Sequence, residues 1–227
     1  MKLKVIAVLA LAVLFTTSAW AQTKTPQDLP SSPGTEQDCD LTDYVSVCGP
    51  GTTIDSAEAL LTSDATTAGD TFGDVILELI MDQTWVGDLI AQVSYDENND
   101  GTADYGPVSA LCRPDLTGCG DTGCCGCSGD VSGSYKFADD APNPPLGEGA
   151  GCFSFMPEGC YQIAPESTET FASAFGGKNT GGSFLLRMRD GAAGDPLTLA
   201  GWCVWFTTGA PTPTVDTTWG QVKALYR

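Results

Sequence analysis

Apolar and polar positions alternate with a period of two from Asp74 to Cys112, and this pattern predicts three strands joined by two turns. Val75, Leu77, Leu79 and Met81 share one face and Ile76, Glu78 and Ile80 the other, because side chains on a strand project to alternate sides. Leu89, Ala91, Val93 and Tyr95 repeat the pattern against Ile90, Gln92 and Ser94, the period of a half-buried strand. A polar break with one large aromatic, Thr84 to Asp88, separates these two runs, and an oxygen-rich hairpin loop, Asp96 to Asp104, follows the second. Later strands are marked by Phe184, Leu186 and Met188, and by Trp202, Val204 and Phe206. Glycine-rich turns punctuate short runs of this kind, and no sustained helical period interrupts them. The chain therefore reads as an all-β sandwich or barrel whose core includes Val75, Leu77, Leu79, Leu89, Ala91, Val93, Phe184, Leu186, Trp202 and Val204.

The ends break the pattern. Lys2 and Lys4 precede an apolar run from Val5 to Phe15, and Ala19-Trp20-Ala21 offers a small-x-small cleavage site, so residues 1–21 read as a signal peptide. The run is too short to cross about 30 Å of hydrocarbon, and no later run is longer, so no integral membrane segment is expected. Residues 22–43, rich in Thr, Pro, Ser and acids, read as a flexible N-terminal segment, with Cys39 and Cys48 placed to tie its end down. Residues 44–208 make one domain, and residues 209–227 form a Pro-rich linker and a short tail with Trp219, Val222 and Tyr226 at helical spacing.

Charge narrows the partners. The formal charge of −19 becomes −21 once Lys2 and Lys4 are cleaved away, and such a surface repels phosphate, which excludes nucleic acid. Ten cysteines, all beyond the leader, point to disulfides in a secreted or cell-surface protein. Cys119, Cys124, Cys125 and Cys127 have zinc-cage spacing, but an oxidising compartment favours disulfides, whose pairing does not follow from spacing.

Three stretches carry a resemblance to a known family. Gln83-Thr84-Trp85-Val86-Gly87-Asp88-Leu89 is similar to a His-Thr-aromatic-x-Gly-Asp-Leu turn, with Gln83 where His is usual. Phe137-Ala138-Asp139-Asp140-Ala141 is similar to a Phe-x-Asp-x-Ala segment. Phe175 to Lys178, Gly182 to Asp190, and Gly194-Asp195 through Leu199 and Trp202 are similar to a closing run, with Phe184 at a frequent Trp and Leu197 at a frequent Gly. Together they resemble the P domain, or P/Homo B domain, that follows the catalytic domain of subtilisin-like proprotein convertases. The resemblance implies a jelly-roll-like β-sandwich stabilised here by disulfides. It also implies an accessory role toward another exported protein such as a protease, and no protease domain accompanies it in these 227 residues.

The chemistry is mostly excluded. The chain has no histidine, so Ser-His-Asp and Cys-His nucleophile systems are ruled out, and the protein is expected not to be an enzyme. Asp121-Thr122-Gly123 matches the aspartic-protease triplet in a single copy, where two are needed. With 29 acids some close carboxylate pair is inevitable, so a carboxylate-based hydrolase has no specific support. The loop after the second strand is more informative. Asp96, Asn98, Asp100 and Gly101 stand at positions one, three, five and six of a calcium loop, with Thr102 through its carbonyl and Asp104 directly or through water completing a hard-oxygen set. Position twelve is Pro107 rather than the bidentate Glu of an EF-hand, and the alternative is a hairpin whose Asn and Gly supply positive φ. Asp88, Asp139 and Asp140 are weaker metal candidates, better read as turn and surface residues. The expected function is an exported, non-catalytic, calcium-stabilised accessory or protein-binding module. The alternative is a structural surface protein displayed through its C-terminal tail.

Overall fold

A computed structural model describes residues 37–114, 126–148 and 152–209. The signal peptide expected at residues 1–21, most of 22–43, Cys119, Cys124, Cys125, the Asp121 triplet and the tail expected beyond Gly209 lie outside the described residues.

Among the described residues ten strands form two sheets: β1 (Val45–Ile54), β2 (Glu58–Ala65), β3 (Phe72–Gln83), β4 (Leu89–Asp96), β5 (Tyr105–Cys112), β6 (Asp130–Ala138), β7 (Phe155–Met156), β8 (Gly159–Gln162), β9 (Ser183–Asp190) and β10 (Leu197–Thr208). One sheet runs β1-β10-β3-β6, with β7 and β8 both pairing parallel to β6; the other runs β2-β9-β4-β5. Apart from the β4–β5 hairpin, successive long strands pass between the sheets, and the last strand returns beside the first, the double Greek-key order of a jelly roll.

The alternation read from sequence sets the two faces. All ten core residues expected above are buried in one cluster between the sheets. The polar face of β3 is less uniform, because Ile76 is buried in a second cluster with Ala138, Ala141 and Cys160, while Ile80 stays 40% exposed. That second cluster lies outside the main sandwich and is packed by Cys39, Leu41, Tyr44 and Trp205. Residues 37–44 are thus held: Cys39 pairs with Cys160, Gln37 accepts from Cys160 N and Asn143 Nδ2, and Asp38 meets Lys136 Nζ at 3.1 Å.

Three disulfides lie wholly within the described residues, Cys39–Cys160, Cys48–Cys203 and Cys127–Cys152, and Cys112 is disulfide-bonded as well. They fit an oxidising compartment. No helix among the described residues is long and apolar enough to cross a membrane.

One end of the sandwich positions the oxygen-rich loop. Phe72 packs edge-on to Tyr95 at 4.9 Å and to Phe206 at 5.0 Å, and Phe184 tilts against Tyr95 at 4.9 Å. Such pairs contribute about 0.5–1.5 kcal/mol beyond burial. The buried Tyr95 hydroxyl accepts from Gly182 N at 2.6 Å and donates to Asn179 O, which fixes the 179–182 turn beside the end of β4. The helix α1 (Phe171–Phe175) plugs the same core with Phe171 and Phe175.

Candidate functional site

The loop between β4 and β5 is built by side chains that serve its own backbone. Asp96 is buried and accepts from Asp100 N at 3.2 Å and Gly101 N at 2.7 Å. Asn98 Oδ1 shares the Asp100 amide at 3.0 Å, Asp100 Oδ1 accepts from Thr102 N at 2.8 Å, and Asp104 Oδ2 accepts from Glu97 N at 2.9 Å. Asn99 at φ 58° and Gly101 at φ 85° supply the two left-handed positions, a conformation that glycine adopts without a Cβ penalty. Asn99 also ties the loop to its neighbour, donating to Gly181 O and accepting from Ser183 Oγ at 2.7 Å.

The structure therefore brings the side chains of Asp96 and Asn98 to the Asp100 amide, turns the Asp100 carboxylate to Thr102 N, and sets Asp104 at the loop's closing bond. Thr102 contributes its N–H. Among the described residues no three His, Cys, Asp or Glu side chains converge as a cation cage. For calcium, the loop offers hard oxygens on a held backbone, with Asp100 and Asp104 each having one carboxylate oxygen outside the bonds just given. The positive φ values are the turn chemistry that the alternative reading of this loop requires.

A second polar centre lies buried where β3, β4, β5 and β9 meet at the other end. The Trp85-Val86-Gly87-Asp88 turn is pinned by Val86 N to Gly129 O and Gly87 N to Cys127 O. A Cβ on Gly87 would collide with the backbone of Gly126 and Cys127, which is why this turn needs glycine there. Asp88, 2% exposed, meets Arg113 Nη2 at 3.1 Å, and Arg113, also 2% exposed, adopts φ 54° and donates Nε to Gly87 O. Burial nevertheless raises the Asp88 carboxyl above its ordinary range, outweighing the arginine. Asp190, 1% exposed, accepts from Ala192 N at 3.1 Å, and the Ser56 backbone also favours its carboxylate. Burial first, and then Asp88 and Asp195, push Asp190 up to about 6.

Asp139 has a structural task. Its two oxygens accept from Phe171 N and Ala172 N, both at 2.8 Å, so it caps α1 from across the chain, alongside the local capping box of Thr170 and Ser173. Sequence reasoning places Asp88 and Asp139 among turn and surface residues; the first is buried in an ion pair, because its partner Arg113 is brought in by strand pairing rather than by any local spacing. Arg113 carries no sequence signal beyond following Cys112. Asp190 stands in the closing run, where the pattern Arg189-Asp190-Gly191 is its only mark.

No protein-family model matches the chain, and no curated protein matches it. Among solved structures it is similar to the crystal structure of a serine protease of Aeromonas sobria. The identity is 10% and the TM-score 0.30, over 72% of this chain and 27% of the protease chain, so the chain spans about a quarter of that protease's length.

Proposed function

We propose that the protein is an exported, non-catalytic accessory or protein-binding module of the P-domain type. The observation that carries this reading is where its most chemical residues are spent. Asp88 is locked to Arg113, Asp139 caps α1, and Asp190 is sealed at the end of β9, so the resembling motifs act as scaffold rather than as groups facing a substrate. The chain has no histidine to serve as a base near neutral pH. The same reading places calcium at Asp96, Asn98, Asp100, Thr102 and Asp104, as a stabiliser of the hairpin.

The test uses the full secreted chain. Incubated with fluorescently labelled casein, it is expected to give background hydrolysis only. Crosslinked in its native secretion fluid, it is expected to form a stoichiometric complex with one exported protein that survives size-exclusion chromatography. Hydrolysis above background that disappears in Asp190→Asn would overturn the non-catalytic reading in favour of carboxylate-based hydrolysis.

A further inference from the structure

β1 ends its sheet among the described strands, paired to β10 alone, and it offers the core little. Of its ten residues only Ile54 is buried, with Val47 packing partly on the main cluster. Both ends are fastened by other means. Ahead of β1, Cys39 is bonded to Cys160; after it, Gly194 N donates to Asp55 Oδ1 and Asp190 N to Ala57 O. β1 is therefore a strap tied at each end, whose middle is held by the ladder to β10 and by Cys48–Cys203.

Cys48 and Cys203 stand directly opposite each other in that ladder, and Cys48 is exposed. The other two disulfides lying within the described residues are shielded. Cys160 and Cys127 are each 1% exposed and Cys152 8%, while Cys39 is half-buried against the second cluster. In thiol–disulfide exchange a thiolate approaches one sulfur in line with the S–S bond, so access selects the bond that opens. For attack on Cys48 Sγ the approach is from beyond β1, where no described strand follows. Gly49 shows what the strap covers. It is paired with Trp202, and a Cβ there would collide with the indole, so the ring rests on the bare backbone of β1. Trp202 is 1% exposed, and its Nε1 has no partner among the described residues.

From this geometry we infer that Cys48–Cys203 is an exchange site for an external dithiol, and that its opening releases β1 from β10. One thiolate of the dithiol attacks Cys48 Sγ, forming a mixed disulfide and expelling the Cys203 thiolate, which takes a proton from water. The second thiol, as thiolate, then attacks the dithiol's own sulfur in that mixed disulfide, and Cys48 leaves as a thiolate that is protonated in turn. The dithiol ends as a cyclic disulfide, oxidised by two electrons, and the cystine as two thiols. The ladder that remains has one buried side chain, at its end, so it opens locally while the strands that build the core stay closed. The reduced form then presents the β10 edge and the Trp202 ring, an open sheet edge that the oxidised form hides.

The experiment exposes the full, natively oxidised chain to dithiothreitol for increasing times, traps new thiols with iodoacetamide and locates them by peptide mass spectrometry. Hydrogen exchange is measured on the same samples. Cys48 and Cys203 are expected to be labelled at least about tenfold faster than Cys39, Cys160, Cys127 and Cys152. As they open, exchange is expected to rise by about tenfold or more in β1 and at the β10 amides facing it, and to stay unchanged in β3 and β4. Cys48→Ser combined with Cys203→Ser is expected to show the same exchange pattern without reductant, which separates loss of this bond from wider effects of the reagent. Labelling of Cys48 and Cys203 no faster than that of the other four overturns the exchange site. Rapid labelling with β1 still protected, or loss of protection throughout the sandwich, overturns the strap. The wild-type time course involves no refolding, so it decides even where the double variant fails to fold.

Discussion

Asp190 shows how a single buried carboxyl makes stability depend on pH. Its carboxyl titrates at about 6 in the folded chain against an ordinary value of 3.8, so the folded state holds the proton over a range where the unfolded state has lost it. Stability contributed by that proton is full below about pH 4 and falls as pH rises through about 6, the reverse of a salt-bridged aspartate. Asp190→Asn is expected to raise the urea midpoint at pH 7 and to flatten the change between pH 4 and 6. A tenfold change in proton affinity is worth about 1.36 kcal/mol, so the gain is bounded at about 3 kcal/mol. An unchanged slope in the variant would assign the dependence to Asp88 or Asp139, whose carboxyls burial raises as well. Gln83 is the neutral counterpart. It is 1% exposed at the end of β3, and neither its Nε2 nor its Oε1 has a protein partner. An unsatisfied buried polar group costs about 1–3 kcal/mol, so Gln83→Met, which keeps the length and removes the amide, is expected to stabilise by about 1 kcal/mol in denaturant melts. A loss of stability would show that the amide is satisfied by bound solvent.

At the scale of elements, legibility follows how each element is buried. β3 and β4 are readable because one face of each packs into the core between the sheets, and that packing imposes the period of two on the residues themselves. β1 and β2 are edge strands with mostly exposed positions, so little in their sequences has to alternate. α1 is five residues long, too short to display a period of 3.6, and is ordered by caps and by Phe171 and Phe175 rather than by propensity. Asp139→Ala removes the acceptor for two of its orphan amides and is expected to cost about 1–2 kcal/mol, with faster hydrogen exchange confined to Phe171 and Ala172 and their neighbours. The hairpin loop is legible as a turn from the Asn and Gly at its left-handed positions, and its hydrogen bonds are implied by acids at alternate residues. Calcium is the added claim. With no Glu at position twelve, its dissociation constant is expected at about 10⁻⁴ to 10⁻³ M, and tenfold excess over that gives RT ln 11, about 1.4 kcal/mol. A thermal melt at fixed ionic strength should show this shift in the wild type and not in Asp100→Ala. Because that variant also loses the bond from Thr102 N, the comparison is of calcium-induced shifts and not of melting points. Equal shifts in both proteins would reduce the loop to a turn.

At the scale of the whole molecule, the sandwich is legible in the sequence and its covalent wiring is not. Alternation says which residues face inward, but strand order is decided by crossovers between the sheets, and only that order brings Cys48 opposite Cys203 and Cys39 beside Cys160. Labelling of the denatured, unreduced chain with a thiol reagent is expected to find essentially no thiol, and several reactive thiols would overturn the disulfide reading. The Cys48–Cys203 bond has a mechanical consequence. It joins the first long strand to the last where they lie side by side, 155 residues apart in sequence, so a pull on the two ends of the domain is transmitted through sulfur before it reaches the core. An oxidised domain held in an optical trap at Val45 and Thr208 should therefore lengthen by only the few residues outside that bond. After full reduction the same pull should release on the order of 500 Å, at about 3.3–3.6 Å for each of the freed residues. A protein tethered in flow through both ends of this domain would behave as a link of nearly fixed length.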